Sequence, residues 1–586
     1  MKIFSDVSSL AAATLTADQI VKVKSVGDYR IQDSGTGIAL ANGKIAVPQA
    51  SGTAISVKQF GAAGDGVTDD TAAIQAAIDY AHSLPSGASV YLPPGTYLIN
   101  TLSVESPTLL LDYGLLLKSN VSLIGVGEDI SILKAGVNLT DAALLLTEVV
   151  AGSNTKNVGL SSFSVDGGDY TSNCIWIYGV TGAEIKGVYV NNILCKSSKG
   201  FGIKAQGLTN GYFDNIRVEN TLALAGTDCF HIYDCSYLTL SNIELNSNGD
   251  DAFIITANGD DCHDISVTNL VVDASVAPAT GAGRGVLLNL SDNEVAALSQ
   301  HSIYNISISN AVIRNSSGPA VLVYAANFHN LDIQAICYGC KNGLDINCGA
   351  PGLTGQVLNS RFDITSFEST EEGISMNIAG AGSAIDHNTG RFLVYDCGDN
   401  FVGAQVRGSR WDALLKVDYD PSSSKVSPDT AIDVFADSSS LNVSANGGLI
   451  NLLLRSSAIG NTLYLGEMTN AVTTDVSDNS GGSNNKFIGG KISSIVGGAS
   501  SNLWSATEGA DNYGTAAITT DGLGEATIAH GLVKTPTFAA VDILGFTPNH
   551  ANVRAVDATN ITVRVIDSAG ASVTSTAFNI LWKACI

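Results

Sequence analysis

The chain has 586 residues, of which 61 are glycine and only 15% are charged, and its formal net charge is −25. Low charge density with abundant Gly, Asn, Ser and Thr excludes long helical bundles and points to a β-rich repeat. The acidic balance excludes nucleic acid and anionic membrane as partners, because phosphate contacts need clustered Lys and Arg.

The N-terminal MKIFSDVSSLAAATLTADQ has a broken apolar stretch where a signal peptide would have its core, so synthesis in the cytoplasm without a signal peptide is expected. No later run reaches the ~18 apolar residues of a membrane span, and no membrane insertion is expected. Length allows three or four domains or one elongated repeat. The first patterned segment is GDGVTDDTAAIQAAIDYAHSLPSG. Asp69 or Asp70 caps a short helix whose Ile74, Ala77, Ile78 and Ala81 form one apolar stripe, ended by Pro85 and Gly87. That helix is expected to cover the exposed end of whatever β structure follows.

Further along, the chain repeats itself. DNIRVEN, SNIELN, TNLVVD and SNAVIR align on Asn215, Asn242, Asn269 and Asn310. GIKA, CFHIY, AFIIT, GVLLN, AVLVY, GLDIN and GISMN place apolar residues at Ile203, Phe230, Phe253, Val286, Val321, Leu344 and Ile374, and again two positions on. Period two marks strands with one buried face. Two short strands per 20 to 40 residues predict a right-handed parallel β-helix whose coils stack at ~4.8 Å. A propeller would need four strands per blade and regular aromatic signatures, which are missing.

Ten cysteines in so long a chain make no disulfide framework. Cys174, Cys229 and Cys348 lie in or beside apolar strands as small hydrophobes. Cys337 and Cys340 form a C-x-x-C with no second pair at zinc spacing, so no metal and no cofactor is expected.

With coils in register, Asp228, Asp251 and Arg284 occupy one column, each two places before the first buried strand residue, and Asp250 precedes Asp251. Carboxyls one strand spacing apart repel, which raises one pKa and leaves an acid beside a base, the requirement for breaking a glycosidic bond. The same aspartates at turn positions would also serve to satisfy backbone N–H groups or to hold calcium. Lys204 and His231 share the next column, and Tyr233, Asn289, Tyr324, Asn347 and Asn377 another. Aromatics and amides on a sheet face suit sugar rings, and stacked amide ladders would look alike in sequence. Asp260, Asp261, His263 and Asp264 read as a solvated turn. Glu368, Glu371 and Glu372 in FESTEEGISM form a rival carboxylate cluster, with Glu372 assigned to the Asp228 column; a solvated loop is the competing reading.

Residues 421–510 are rich in Ser, Asn and Gly and fit either further coils or a neck. Residues 511–586 change to short alternating strands joined by turns, with His530 and Gly531 as turn residues.

VKQFGAAGDGVTDDTAAIQAAID followed by VYLPPGTYLI resembles the opening of the pectate-lyase-like β-helix superfamily, and the preceding DSGTGIALANGKIAVP is similar to bacteriophage tailspikes. The resemblance implies a homotrimeric spike with residues 1–55 attaching to phage tail or baseplate proteins and residues 56–420 forming the glycan-cleaving helix. It implies in residues 511–586 a β-sandwich for trimerisation or glycan binding. The partner would be bacterial surface polysaccharide, capsule or O-antigen, and the location the virion tail. TDCFHIYDCSYLTLSNIELNSNGDDAFII resembles the polygalacturonase region whose Asn-Thr-Asp segment precedes an Asp-Asp pair by about one coil. That likeness implies Asp228, Asp250 and Asp251 as catalytic acid and water-activating bases, with inversion. The family's Gly-His-Gly appears here as Gly283-Arg284-Gly285 and no Arg-Ile-Lys segment follows, which argues against pectin as the sugar. Arg284, Lys204, His231, Tyr233 and Asn289 are the expected substrate-binding residues. A polysaccharide lyase and a binding-only spike are the alternatives.

Overall fold

The computed structural model of the chain describes residues 2–24, 26–35, 37–49, 54–104, 111–171, 173–219, 227–246, 250–274, 283–297, 301–379, 381–398, 402–419, 430–447, 450–455, 458–469, 474–479, 484–488, 495–497, 503–505, 511–529, 538–543, 549–557 and 560–585. It divides into two compact units, Met1–Lys341 with Gly349–Gly355, and Asn342–Cys348 with Gln356–Ile586.

The first unit opens with a small five-stranded sheet over Leu10, Val21, Val23, Tyr29 and Ile31. Two hydroxyls tie this sheet to the next segment: Tyr29 donates to the Gln59 carbonyl at 2.7 Å and Tyr80 to the Pro48 carbonyl at 3.0 Å. The predicted helix spans Thr71–Ser83 and buries Ile74, Ala77, Ile78 and Ala81. The N-cap residue Asp70 makes no side-chain cap bond, and Asp69 Oδ1 accepts the first helical N–H, that of Thr71, at 3.0 Å. Asp70 instead turns its buried carboxylate back to the N–H groups of Ala63 and Gly64. Leu84 ends the helix in an extended conformation, as the residue before a proline prefers.

From there the chain winds as a right-handed parallel β-helix. Short strands Asn173–Tyr178, Phe201–Gln206, Phe230–Tyr233, Asp251–Ala257, Arg284–Leu290 and Val321–Tyr324 pair in parallel, each with the next. Ile203, Phe230, Phe253, Val286 and Val321 stand in register, as the sequence steps predict. Long strands such as Leu208–Glu219, Ser236–Asn246 and Cys262–Asp273 form the other walls. Asn215, Asn242, Asn269 and Asn310 bend these long strands in the left-handed region, φ +51° to +58°. Asparagine tolerates that region better than other non-glycine residues. Their amides also ladder between coils: Asn269 Nδ2 donates to Asn242 Oδ1 at 2.9 Å and Asn310 Nδ2 to Asn269 Oδ1 at 3.3 Å. Inside the coils Phe213, Phe230 and Phe253 meet edge to face at 5.2 and 5.7 Å, each burial contributing about 2–3 kcal/mol. Cys174, Cys229 and Cys348 are buried thiols.

In the second unit Leu344–Cys348, Ile374–Ile378, Val402–Val406, Thr430–Val434, Ile450–Leu454 and Thr474–Asp478 form a corresponding parallel ladder. In the described part of 421–510 the parallel strand pairing continues. Beyond them two three-stranded antiparallel sheets enclose Ile518, Ile528, Ile561, Val563, Phe578 and Ile580, a small β-sandwich. His530 and Gly531 lie outside the described residues.

Candidate active site

The short-strand sheet of the first unit carries the carboxylates where its strands begin. Asp251 pairs with Arg284 in register, and the Phe230–Phe253 pairing carries the same column back to Asp228. The Asp251 N–H donates to Asp228 Oδ1 at 3.1 Å, and Asp251 Oδ1 accepts from Arg284 N–H at 2.9 Å and from its Nε at 2.8 Å. Asp228 and Asp251 are each only 3% exposed. Both nevertheless line an open cavity of about 190 Å³ together with Asp250, His231, Tyr233, Thr256, Arg284, Asn289 and Tyr324.

His231 Nδ1 lies 2.6 Å from Asp228 Oδ2, and its Nε2 lies 3.0 Å from the Thr256 hydroxyl. Thr256 gives its one hydroxyl proton to Asn289 Oδ1 at 2.7 Å, so it accepts from His231 Nε2–H. A neutral imidazole protonated at Nε2 has an acceptor at Nδ1. The close Asp228–His231 contact is then carried by the proton of the Asp228 carboxyl. The titration directions agree. Burial, then the charge of Asp250, push Asp228 up to about 8, against the Asp251 N–H, Arg284 and Lys204. Burial holds His231 well below the usual histidine range, and the charge of Lys204 adds to this. Burial pushes Asp251 up to about 7; Arg284 opposes that, while Asp228 and Asp250 reinforce it. Because these groups interact, the proton belongs to the cluster, with Asp228 the better holder.

Among the described residues, both Asp228 oxygens are engaged by protein groups, whereas none donates to Asp251 Oδ2. A carboxyl titrating near neutrality with one uncommitted oxygen is equipped to give a proton to, or take one from, a bound molecule.

The expected binding residues divide. Tyr233, Asn289 and Arg284 line the cavity, and His231 stacks on the Tyr233 ring at 3.8 Å. Lys204 is not among the lining residues. Its ammonium sits 4.8 to 5.0 Å from the centroids of Trp176, Phe201 and Tyr233, and burial lowers its pKa. Asp260, Asp261 and His263, read as a solvated turn, wall a second cavity of about 310 Å³ with Glu184 and Asp234. Burial pushes Asp234 up to about 6. His263 stacks on Tyr304 at 4.9 Å. In the second unit, Glu372 stands two places before Ile374 and accepts from Asn342 Nδ2 at 3.0 Å. Asn347 and Asn377 pair there in register, as expected of one column.

Thr256 was missed by sequence reasoning, although it stands in the Tyr233 column between Tyr233 and Asn289. Leu287 and Ile254, which pack with Leu322 and Tyr324 on the outer sheet face, carried the signal of apolar residues at both parities in AFIIT and GVLLN.

The chain is a parallel β-helix with carboxyls from neighbouring coils gathered over one sheet. Residues 54–289 match the family model "Rhamnogalacturonase A/epimerase, pectate lyase-like". Mannuronan C5-epimerase AlgE1 of Azotobacter vinelandii is 43% identical over 112 residues, covering 19% of this chain and 8% of that protein. The preneck appendage protein of Bacillus phage PZA is 34% identical over 113 residues, covering 19% and 11%. The alignments span less than a third of the length of the curated relatives they match. Among solved structures, the tailspike protein of E. coli bacteriophage HK620, in complex with a pentasaccharide, superposes with TM-score 0.53 at 12% identity, covering 91% of this chain and 94% of that one. The chain thus shares the β-helix fold of that tailspike, and the pectate-lyase-like resemblance of its sequence agrees with the family match over residues 54–289.

Proposed function

We propose that the chain is a phage tailspike subunit that binds bacterial surface polysaccharide and cleaves it by endo-glycosidic hydrolysis. The observation carrying this reading is the carboxyl cluster: Asp251, near neutral titration with a free Oδ2, beside Asp250 on the wall of an open cavity. Asp251 protonates the glycosidic oxygen as the carbon–oxygen bond breaks. Asp250 takes a proton from the water that attacks the anomeric carbon, so water's oxygen ends in the new reducing end. Asp228 stays protonated against His231 and holds the Asp251 backbone N–H, while burial raises the Asp251 carboxyl. Tyr233, Asn289 and the apolar strip of Ile254, Leu287 and Tyr324 give a sugar a ring platform and amide partners. Relatives with phage and polysaccharide names support the setting, a virion tail and a surface glycan. Homotrimer formation through residues 511–586 and tail attachment through residues 1–55 belong to the same proposal.

The test is digestion of purified capsular and O-antigen glycans in ¹⁸O-labelled water, with product masses read for the wild type and Asp251→Asn. The hydrolytic reading expects one label per new reducing end and loss of cleavage with binding retained in the variant. Unchanged turnover in Asp251→Asn refutes the site. A lyase is the second reading, favoured by a relative named alginate lyase 7 of Azotobacter vinelandii. It would leave unsaturated, ultraviolet-absorbing ends with no label.

A further inference from the structure

In the second unit, three successive coils stack Arg407, Phe435 and Arg455 one above another, each following the paired residues Val406, Val434 and Leu454. The Arg407 guanidinium lies 3.8 Å from the Phe435 ring centroid and that of Arg455 lies 5.4 Å away. The two cations are not treated alike. Arg455 grips buried Asp433, with Nε 3.0 Å from each carboxylate oxygen and Nη2 2.8 Å from Oδ2. Arg407 has its Nε on the neutral Gln405 Oε1 at 3.0 Å, and among the described residues it forms no ion pair. Burial lowers its pKa, and the charge of Arg455 adds to that while Asp433 opposes it.

Arg407 and Phe435 line a pocket of about 330 Å³ with Ile378, Ala384, Ser409 and Asp437. Among the described residues the Asp437 side chain accepts no hydrogen bond, and its Oδ1 is buried without a partner. A guanidinium without an ion pair, near the charge of Asp433, and a carboxylate without a side-chain hydrogen bond, near the charge of Arg410, therefore share one pocket without pairing with each other among the described residues. Leaving both unpaired is costly, and a ligand that satisfies both relieves the cost. Such a ligand presents an anionic planar acceptor and a hydroxyl donor a few ångströms apart, with an apolar face for half-exposed Ile378.

We propose that this pocket is a second saccharide subsite, separate from the cleavage site, that takes a carboxylate-bearing sugar with its carboxylate on Arg407 and a hydroxyl on Asp437. It goes beyond the cleavage reading and stands on the second unit alone.

Binding is measured by calorimetry on the full chain carrying Asp251→Asn, so that failure of the cleavage reading and failure of this one are separable. The probes are galacturonate, glucuronate and mannuronate trisaccharides, their carboxyl-reduced neutral counterparts, and inorganic phosphate. At least one acidic trisaccharide is expected to bind, about tenfold tighter than its reduced counterpart, as loss of a charge-assisted pair implies. Arg407→Gln should lose that margin. Arg407→Lys, which keeps charge without the planar fork, should retain part of it. Equal binding of acidic and neutral probes, unchanged affinity in Arg407→Gln, displacement by phosphate at equal concentration, or no binding of any acidic probe overturns the proposal. So does a solved assembly in which a carboxylate of a second copy sits on Arg407.

Discussion

Replacing Arg284 by Gln should move the alkaline limb of the cleavage profile upward. The guanidinium Nε lies 2.8 Å from Asp251 Oδ1 and is about one-fifth exposed. Two unit charges about 4 Å apart at an effective dielectric of about 20 interact by about 4 kcal/mol, or about 3 pH units. Water at the exposed edge and the retained backbone N–H reduce this to about 1–2 units. Arg284 favours ionised Asp251, so removing it raises a carboxyl already pushed up to about 7. If Asp251 must be protonated to act, the wild type loses activity above about pH 7, and the variant holds its activity to about pH 8–9. The assay is kcat/KM for reducing-end release at constant ionic strength from pH 4 to 10, with glycan binding measured at each pH. A shift confined to the acid limb would make Asp251 the base and refute the assigned role. An unmoved profile would refute any part for the Asp251–Arg284 pair in the chemistry.

Stability should depend on pH through the same cluster. Asp228 is raised to about 8 against about 3.9 in an unfolded chain, so its stabilising contribution is complete below pH 4 and is lost as pH rises to about 8, by up to ~1.4 kcal/mol per unit. Asp251, raised to about 7, acts in the same sense as Asp228 and neutral His231 in the opposite sense below about 6.5, so the loss is steepest between about pH 6.5 and 7 and continues to about 8. Asp228→Asn should flatten that slope in denaturant titrations, and an unchanged slope would place the titration elsewhere. Phe253→Ala, which empties the Phe230 contact at 5.7 Å, should cost about 3–5 kcal/mol, read as a lower unfolding midpoint. Asn269→Ala should cost about 1–2 kcal/mol, because it forces Ala to φ +58° and cuts two ladder bonds, whereas Asn269→Gly should recover the backbone part. Equal losses in the two variants would mean that the backbone conformation contributes nothing.

The coil register was legible because each short strand buries alternate residues against the coils on either side. A one-residue slip would have turned Phe230 and Phe253 out to water. That register sufficed to align Asp228, Asp251 and Arg284 in one column, and it located Tyr233 and Asn289 on the cavity wall. Hydrogen-bond direction was not legible. Nothing in CFHIY or AFIIT says that the Thr256 hydroxyl spends its proton on Asn289, which fixes the His231 tautomer and the proton of Asp228. Lys204 shows the related limit, since a column position does not say whether a long side chain reaches the cavity or folds under Trp176 and Tyr233. Asp70 stands at the N-cap but makes no side-chain cap bond, because its carboxylate met two backbone N–H groups several residues upstream, and Asp69 accepts the Thr71 N–H in its place. The Arg407–Phe435–Arg455 stack escaped because Ser-rich and Asn-rich spacers of unequal length separate its members.

The spacing of equivalent residues varies, with Asn215, Asn242, Asn269 and Asn310 separated by 27, 27 and 41 positions, yet the strand pairing stays in step. Every winding offers the same edge to its neighbour, so the backbone works as a set of interchangeable cassettes. Swapping one winding between molecules of this build would trade the groups above the sheet while leaving the interior stack intact, a short mutational route from one set of outward groups to another.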